Sequence, residues 1–271
     1  MKKNALRSLI IIITLTLAIG SLGVSGALRT AESRSINALA QVTDLQPENA
    51  SPSPTPCPRG ADAATALKCL EGGNVRWQRW QTMKKRNWGD ERAANSPPKE
   101  QHPFAVVISC MDSRVPPELI FDQGLGDIFV IRVAGPVLGP DELASLEYAV
   151  VVKHVNLVVV LGHTNCGAVE AAAARPPRGS GTYLPELLDK IEPAVKWVSE
   201  KYRVPLPISK EDQTNLSRVS TANARIISDR IRGDPALRRA GVDVTWGLYY
   251  LRCGKVAFKP GDVVPDPCLT P

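Results

Sequence analysis

Two short runs of branched apolar residues end in metal-ligating side chains, and that pairing constrains the fold more than anything else in the chain. The first is Phe104-Ala-Val-Val-Ile-Ser109, which stops at Cys110-Met-Asp112-Ser-Arg114. The second is Leu157-Val-Val-Val-Leu161, which stops at Gly162-His163-Thr-Asn-Cys166-Gly167. Near-continuous Val/Ile/Leu runs of this length are the pattern of strands buried on both faces of a parallel sheet. Such sheets gather their ligands beyond the carboxyl ends of the strands. Neighbouring strands would therefore bring Cys110 to His163 and Cys166, although His163 lies 53 positions after Cys110.

The rest of the chain reads as an α/β domain with a mainly parallel central sheet flanked by helices. The apolar spacing predicts helix over 62–85, broken at Gly72-Gly73, with Trp77 and Trp80 packing against the core or a partner subunit. A strand at 104–109 is followed by a short helix opened by Pro116-Pro117, a strand at 128–133, and a helix at 141–153 with Asp141 as N-cap. A third strand at 157–161 and an Ala-rich helix after Cys166 come next, then an exposed loop over 175–182. Two longer helices, 184–202 and 214–232, precede a last strand in 242–251 and a turn at Cys253-Gly254.

The amino terminus carries Lys2, Lys3 and Arg7, then an apolar core over 9–19, then small residues at Ser25-Gly26-Ala27. This is the layout of an export signal, with cleavage expected after Ala27. The rival reading is an uncleaved anchor, but the apolar run is shorter than the roughly 20 residues a spanning helix needs. Residues 28–60 hold many prolines among Ser, Thr and Asn and read as a flexible tether. The expected organisation is thus 1–27 signal peptide, 28–60 tether and 61–271 globular domain, with the protein exported to the periplasm or another extracytoplasmic compartment. Any membrane contact would come through the leader alone.

The full sequence has 33 Lys+Arg against 27 Asp+Glu, a formal charge of +6, and the leader supplies three of those charges. No basic tract is interleaved with aromatics, so a nucleic-acid partner is not expected. With Cys110 and Cys166 assigned to a metal, four cysteines remain, and nearness in sequence pairs Cys57 with Cys69 and Cys253 with Cys268. Four cysteines allow three connectivities, and four free thiols is the plain alternative.

Cys110, His163 and Cys166 supply the three ligands of a catalytic zinc that keeps its fourth position open. Asp112 is the one nearby group able to close that position, and Arg114 is placed to hold the carboxylate away by paired hydrogen bonds. Zinc lowers the pKa of bound water to roughly 7; with two thiolate ligands the water should be less acidic, which gives an accepting carboxylate a use. His102 and His154 read as structural, and Arg132 either lines the site or steadies its loop.

Cys110-x-Asp112-x-Arg114 followed by His163-x-x-Cys166 resembles the paired signature of the β-class carbonic anhydrases. The resemblance takes in Glu71-Gly-Gly-Asn-Val-Arg-Trp77, Pro116 to Asp127, Arg132-Val-Ala-Gly135, Ser145-Leu-Glu-Tyr-Ala149 and Gly247 to Lys255, and it covers about 63–258. It implies the family's fold with an N-terminal helical arm, and reversible hydration of carbon dioxide to bicarbonate and a proton by zinc-bound hydroxide. It further implies Zn2+ on Cys110, His163 and Cys166, an Asp112–Arg114 dyad that orients or gates the fourth position, substrate contacts from Gln101 and the Gly167 N–H, and a homodimer or larger homo-oligomer. Pro136 departs from the Asn that often follows Arg-x-Ala-Gly. Val107 stands where members with an inhibitory bicarbonate pocket carry Trp, so that regulation is not expected. Two other activities share these residues: hydrolysis of carbon disulfide or carbonyl sulfide, and noncatalytic binding of zinc or bicarbonate.

Overall fold

The computed structural model of the chain describes residues 57–79, 100–174, 183–261 and 267–268. The leader, nearly all of the tether, the loop at 175–182 and Trp80 lie outside the described residues. Among the described residues no helix is long and apolar enough to cross a membrane.

Five strands form one sheet in the order β2-β1-β3-β4-β5. They are β1 (Ala105–Ser109), β2 (Ile128–Arg132), β3 (Leu157–His163), β4 (Asp243–Tyr250) and β5 (Lys255–Phe258). The first four are mutually parallel and β5 runs antiparallel to β4. Every residue of β1 and β3 is buried. The side-chain period of two explains their unbroken apolar sequence. Ala105, Val107, Leu157, Val159 and Leu161 pack on one face with Leu70 and Phe121, while Val106, Ile108, Val158 and Val160 pack on the other with Leu146, Ile227 and Ile231. β2 is one of the two edge strands, and its side chains are half-buried apart from the exposed Arg132.

The first helix, α1 (Ala63–Gln78), starts where the Asp62 carboxylate accepts the Thr65 N–H at 2.7 Å. It runs unbroken through Gly72-Gly73, against the expected break. A Cβ on Gly73 would stand 1.7 Å from the Phe121 carbonyl oxygen. That glycine lets the helix lie against backbone, a tertiary role that propensity does not register. The contact is fixed by Asn74, which donates to the carbonyls of Ile120 (3.2 Å) and Gly254 (2.8 Å) and accepts the Val256 N–H (2.8 Å). Arg76 pairs with Asp122, and Trp77 donates to the Tyr249 hydroxyl, so α1 packs on its own chain.

Pro117 opens the short α2 (Pro117–Ile120) as expected. α3 (Pro140–Glu147) begins one residue before the expected N-cap: Gly139 occupies that position and donates its N–H to the Glu142 carboxylate at 2.7 Å, which leaves Asp141 in the first turn. The helix then widens into a π-helical turn, Tyr148–Val152, closed by the Lys153 N–H to the Tyr148 carbonyl. α4 (Gly167–Ala174) follows β3. The expected 184–202 helix is two, α5 (Leu184–Asp189) and α6 (Glu192–Tyr202). Pro193 has no N–H to give to the preceding turn, so the ladder breaks there. α7 (Gln213–Gly233) crosses the sheet and is followed by α8 (Pro235–Ala240). Both expected disulfides are formed, Cys57–Cys69 and Cys253–Cys268. β5 had no sequence signal of its own; four residues after a turn are too few for a periodicity to register.

Candidate metal centre

β1 and β3 are adjacent and parallel, so the residues just past their carboxyl ends meet. The Cys110 and Cys166 sulfurs and a His163 ring nitrogen all lie within 4.8 Å of one another, and all three residues are buried. The sulfurs stand 3.9 Å apart. Two sulfurs at ~2.3 Å from one tetrahedral zinc would be separated by about 3.8 Å. The His163 ring is set by its other nitrogen: Nδ1 lies 2.9 Å from the Thr164 carbonyl oxygen, which can only accept. Nδ1 therefore carries the proton and Nε2 the lone pair. Nε2 is buried and has no hydrogen-bond partner among the described residues. An apolar core does not leave an imidazole lone pair orphaned beside two thiols without loss, and a borderline-soft cation satisfies all three atoms.

Cys166 sits at the mouth of α4, where its carbonyl accepts the Glu170 N–H and the amides of Val169 and Ala168 face its sulfur. Cys110 receives the Gly135 N–H at 3.4 Å. Gly135 has φ +70°, and a Cβ there would lie 2.5 Å from Ile191 Cδ1, so only glycine fits the turn that aims this amide. Asn223 of α7 holds the turn by donating to the Gly135 carbonyl at 2.8 Å. The neighbouring Cys166 sulfur, helped by His163 and the Gly135 amide against burial, pulls the Cys110 thiol down to about 4. Cys166 is pushed up in turn by its hydrogen bond to Cys110 and by burial. One proton is thus readily lost from the pair and the second is retained until a cation displaces it.

Asp112 and Arg114 form the expected pair. Oδ1 accepts the Arg114 backbone N–H and Nε, both at 2.9 Å, and Oδ2 accepts Nη2 at 2.7 Å. The guanidinium beside it holds the Asp112 carboxyl down at about 2. Arg114 also donates to the Asn165 carbonyl at 3.2 Å, which bridges the β1 and β3 loops. Arg132 steadies the loop: its Nε donates to the Cys110 carbonyl at 3.0 Å and its Nη2 to the Asp112 carbonyl.

Gly167 begins α4 beside Cys166, with open space where a side chain would project. Gln101 is not brought to this site. It is exposed, and its backbone lies against Gly126, just before β2, at the opposite end of the sheet from Cys110. Extended chain rises about 3.3 Å per residue, so the nine positions between them keep the two apart. His102 is at that same far end, 3.3 Å from Glu100. Gly135 and Asn223 were not singled out as functional from the sequence. Gly135 sits in the matched Arg132-Val-Ala-Gly135 stretch, but Asn223 looks like any polar residue of a helix.

The family model for carbonic anhydrase matches residues 105–256. Carbonic anhydrase 2 of Mycobacterium tuberculosis is 45% identical over 132 residues, which is 48% of this chain and 63% of the relative. A carbonic anhydrase of Mycolicibacterium smegmatis is 42% identical over 137 residues, covering 50% of this chain and 66% of the relative. The chain thus aligns with a little under two thirds of the length of these relatives. Among solved structures, a tetrameric β-carbonic anhydrase of Sordaria macrospora superposes with a TM-score of 0.54 at 22% identity, over 72% of this chain and 97% of that one. The Coccomyxa β-carbonic anhydrase in complex with acetazolamide gives 0.55 at 24% identity, over 64% and 82%. The matched span runs from β1 into β5 and contains all three facing ligands, and on that ground the chain belongs to the β-carbonic anhydrase family.

Proposed function

We propose that the protein interconverts carbon dioxide and water with bicarbonate and a proton, using a zinc ion held by Cys110, His163 and Cys166. The observation that carries this reading is the orphaned, buried His163 Nε2 facing two sulfurs, with the Asp112 carboxylate tied to Arg114 by three hydrogen bonds. Zinc supplies a Lewis acid that acidifies water at neutral pH. Asp112 keeps a full negative charge across the neutral range because Arg114 holds its carboxyl near 2. A carboxylate so fixed would accept a hydrogen bond from water beside a metal held by Cys110, His163 and Cys166 and orient it, while its engagement by Arg114 holds the carboxylate itself off that metal. The Gly167 N–H, at the amino end of α4, is available to the substrate's second oxygen.

A homo-oligomer completes this reading. Gln101 cannot reach the site of its own chain, so a contact to substrate would have to come from another copy. The half-buried edge strand β2 with the exposed Tyr148 beside it, and the exposed Val151 and Val152 of the π-helical turn, offer a face for that copy. The Sordaria structure is described as tetrameric, which is in line with a homo-oligomer here. The two disulfides favour an oxidising compartment and so agree with export through the amino-terminal signal.

Stopped-flow hydration of carbon dioxide by zinc-loaded protein, beside Asp112→Ala carrying equal zinc, tests the proposal. Fast turnover in the wild type, abolished by chelation and reduced by about a hundredfold or more in the variant, is expected. No turnover in fully zinc-loaded wild type overturns it.

A further inference from the structure

β3 ends at His163, and the residues just after it decide where the imidazole points. The ligand's backbone is fixed on both sides. His163 pairs with Tyr249 of β4, and Gly162 before it lets α7 close on the strand, since a Cβ there would stand 2.8 Å from the Ser220 carbonyl oxygen. A fixed backbone still leaves the ring its side-chain torsions. The hydrogen bond from Nδ1 to the Thr164 carbonyl settles them, so the placement of that carbonyl is part of the metal centre.

Thr164 lies past the end of β3, and Asn165 turns the chain away with φ +54°. Two contacts to the end of β4 hold it there: its N–H donates to the Tyr249 carbonyl at 3.0 Å, and its Oγ1 accepts the Leu251 N–H at 3.1 Å. Leu251 is one residue past β4 and opens a turn that α1 anchors, because Asn74 Nδ2 donates to the Gly254 carbonyl at 2.8 Å. The next carbonyl, that of Asn165, accepts Arg114 Nη2 at 3.2 Å. Thr164 thus joins the imidazole to a turn fixed from elsewhere in the fold.

The hydroxyl is the part of this clamp that the side chain supplies. Serine offers the same acceptor, valine has the shape of threonine without it, and alanine leaves space. With valine the Leu251 N–H, on a half-buried residue, loses its partner, and the end of β3 and the turn must separate to let water reach it. The Thr164 carbonyl moves with its own residue, and the ring loses its fixed orientation toward the two sulfurs. A contact that served stability alone would lower the melting of zinc-free and zinc-loaded protein alike and leave zinc affinity where it was. The two roles are therefore separable by experiment.

We infer that Thr164 is a positioning residue for His163: its hydroxyl grips the turn after β4 and its carbonyl fixes the ring. The inference rests on the zinc reading of Cys110, His163 and Cys166. Zinc affinity of the disulfide-intact full chain is measured by competition with a chromophoric chelator, for wild type and for Thr164→Val, Thr164→Ala and Thr164→Ser. Thr164→Val should weaken zinc binding by about tenfold, the low end for a ligand's support because the acceptor is loosened rather than removed. Thr164→Ala should weaken it severalfold, since water can take the place of the hydroxyl, and it serves the test if Thr164→Val folds poorly. Thr164→Ser should stay within about threefold of wild type. In zinc-loaded, isotope-labelled protein the His163 Nδ1–H resonance should exchange with solvent about tenfold faster in Thr164→Val than in wild type or Thr164→Ser. Wild-type affinity and exchange in Thr164→Val, or in Thr164→Ala where only that variant folds, overturns the inference and leaves the zinc reading standing. A folded wild-type chain that binds no zinc overturns both.

Discussion

Two adjacent glycines in α1 should respond in opposite directions to the same substitution. A Cβ on Gly72 meets nothing nearer than Arg76 Nη1 at 3.6 Å, so Gly72→Ala gains helix propensity at no steric cost. The gain is about 0.5–1 kcal/mol. A Cβ on Gly73 would lie 1.7 Å from the Phe121 carbonyl oxygen and 2.6 Å from its carbon. Restoring ordinary contact requires α1 to withdraw by about 1.5 Å. Withdrawal strains the hydrogen bonds from Asn74 to Ile120 and Gly254 and the one it accepts from Val256. Overpacking costs about 1–3 kcal/mol and a lost buried hydrogen bond about 1–3 more, against a propensity gain of at most ~1, so Gly73→Ala should destabilise by about 2–4 kcal/mol. The two variants should then differ by about 2.5–5 kcal/mol and melt about 5–20 °C apart, at roughly 2–4 °C per kcal/mol for a domain of this size. Circular dichroism melts at equal protein concentration, with saturating zinc and intact disulfides, make the comparison. Gly73→Ala melting at or above wild type would refute the docking of α1 on the Phe121 backbone.

Three further outcomes follow from the site and its supports. Asn223→Ala leaves the Gly135 carbonyl without its donor and loosens the amide that faces Cys110, so zinc affinity should fall by about 10–100-fold in competition with a chromophoric chelator; unchanged affinity would contradict the role given to Asn223. In zinc-free protein the folded Asp112 pKa, about 2, lies below the ordinary 3.8. Its ion pair therefore contributes fully above about pH 4 and is lost as pH falls from 4 toward 2, by less than about 1 kcal/mol because Arg114 is largely exposed. Asp112→Asn should lack this part of the acid-side slope in urea titrations, and identical slopes would contradict it. The bridge Cys253–Cys268 closes a loop with a separation of 15 residues, so the double serine variant should lose about 3 kcal/mol in urea unfolding, a loss that an unchanged midpoint would exclude.

The metal centre was legible in the sequence because each half of it is local. Cys110-x-Asp112-x-Arg114 and His163-x-x-Cys166 each follow directly on a strand whose apolar run marks it as interior, and the parallel-sheet rule supplies the juxtaposition. Strands β1 to β4 and helix α7 were legible for the same reason, each carrying its periodicity over enough residues. What escaped depends on contacts between distant segments. Whether Gly73 breaks a helix or admits a neighbour is decided by Phe121, 48 positions later. Asn223 acquires its role only when α7 crosses behind the Gly135 turn. Gln101 matched a motif position, yet motif matching carries no direction, and β1 places Gln101 and Cys110 at opposite ends of the sheet. The break between α5 and α6 did have a local signal in Pro193, outweighed in the reading by the apolar pattern around it.

Zinc K-edge absorption on the purified, zinc-loaded protein tests the metal centre most directly, because it counts the ligands without presuming an activity. Two sulfurs at about 2.3 Å, one imidazole nitrogen near 2.0–2.1 Å and one further light atom are expected, at one zinc per chain. A first shell with one sulfur or none, or a chain that retains no zinc while folded with Cys110 and Cys166 reduced, would contradict the assignment of Cys110, His163 and Cys166 as its ligands.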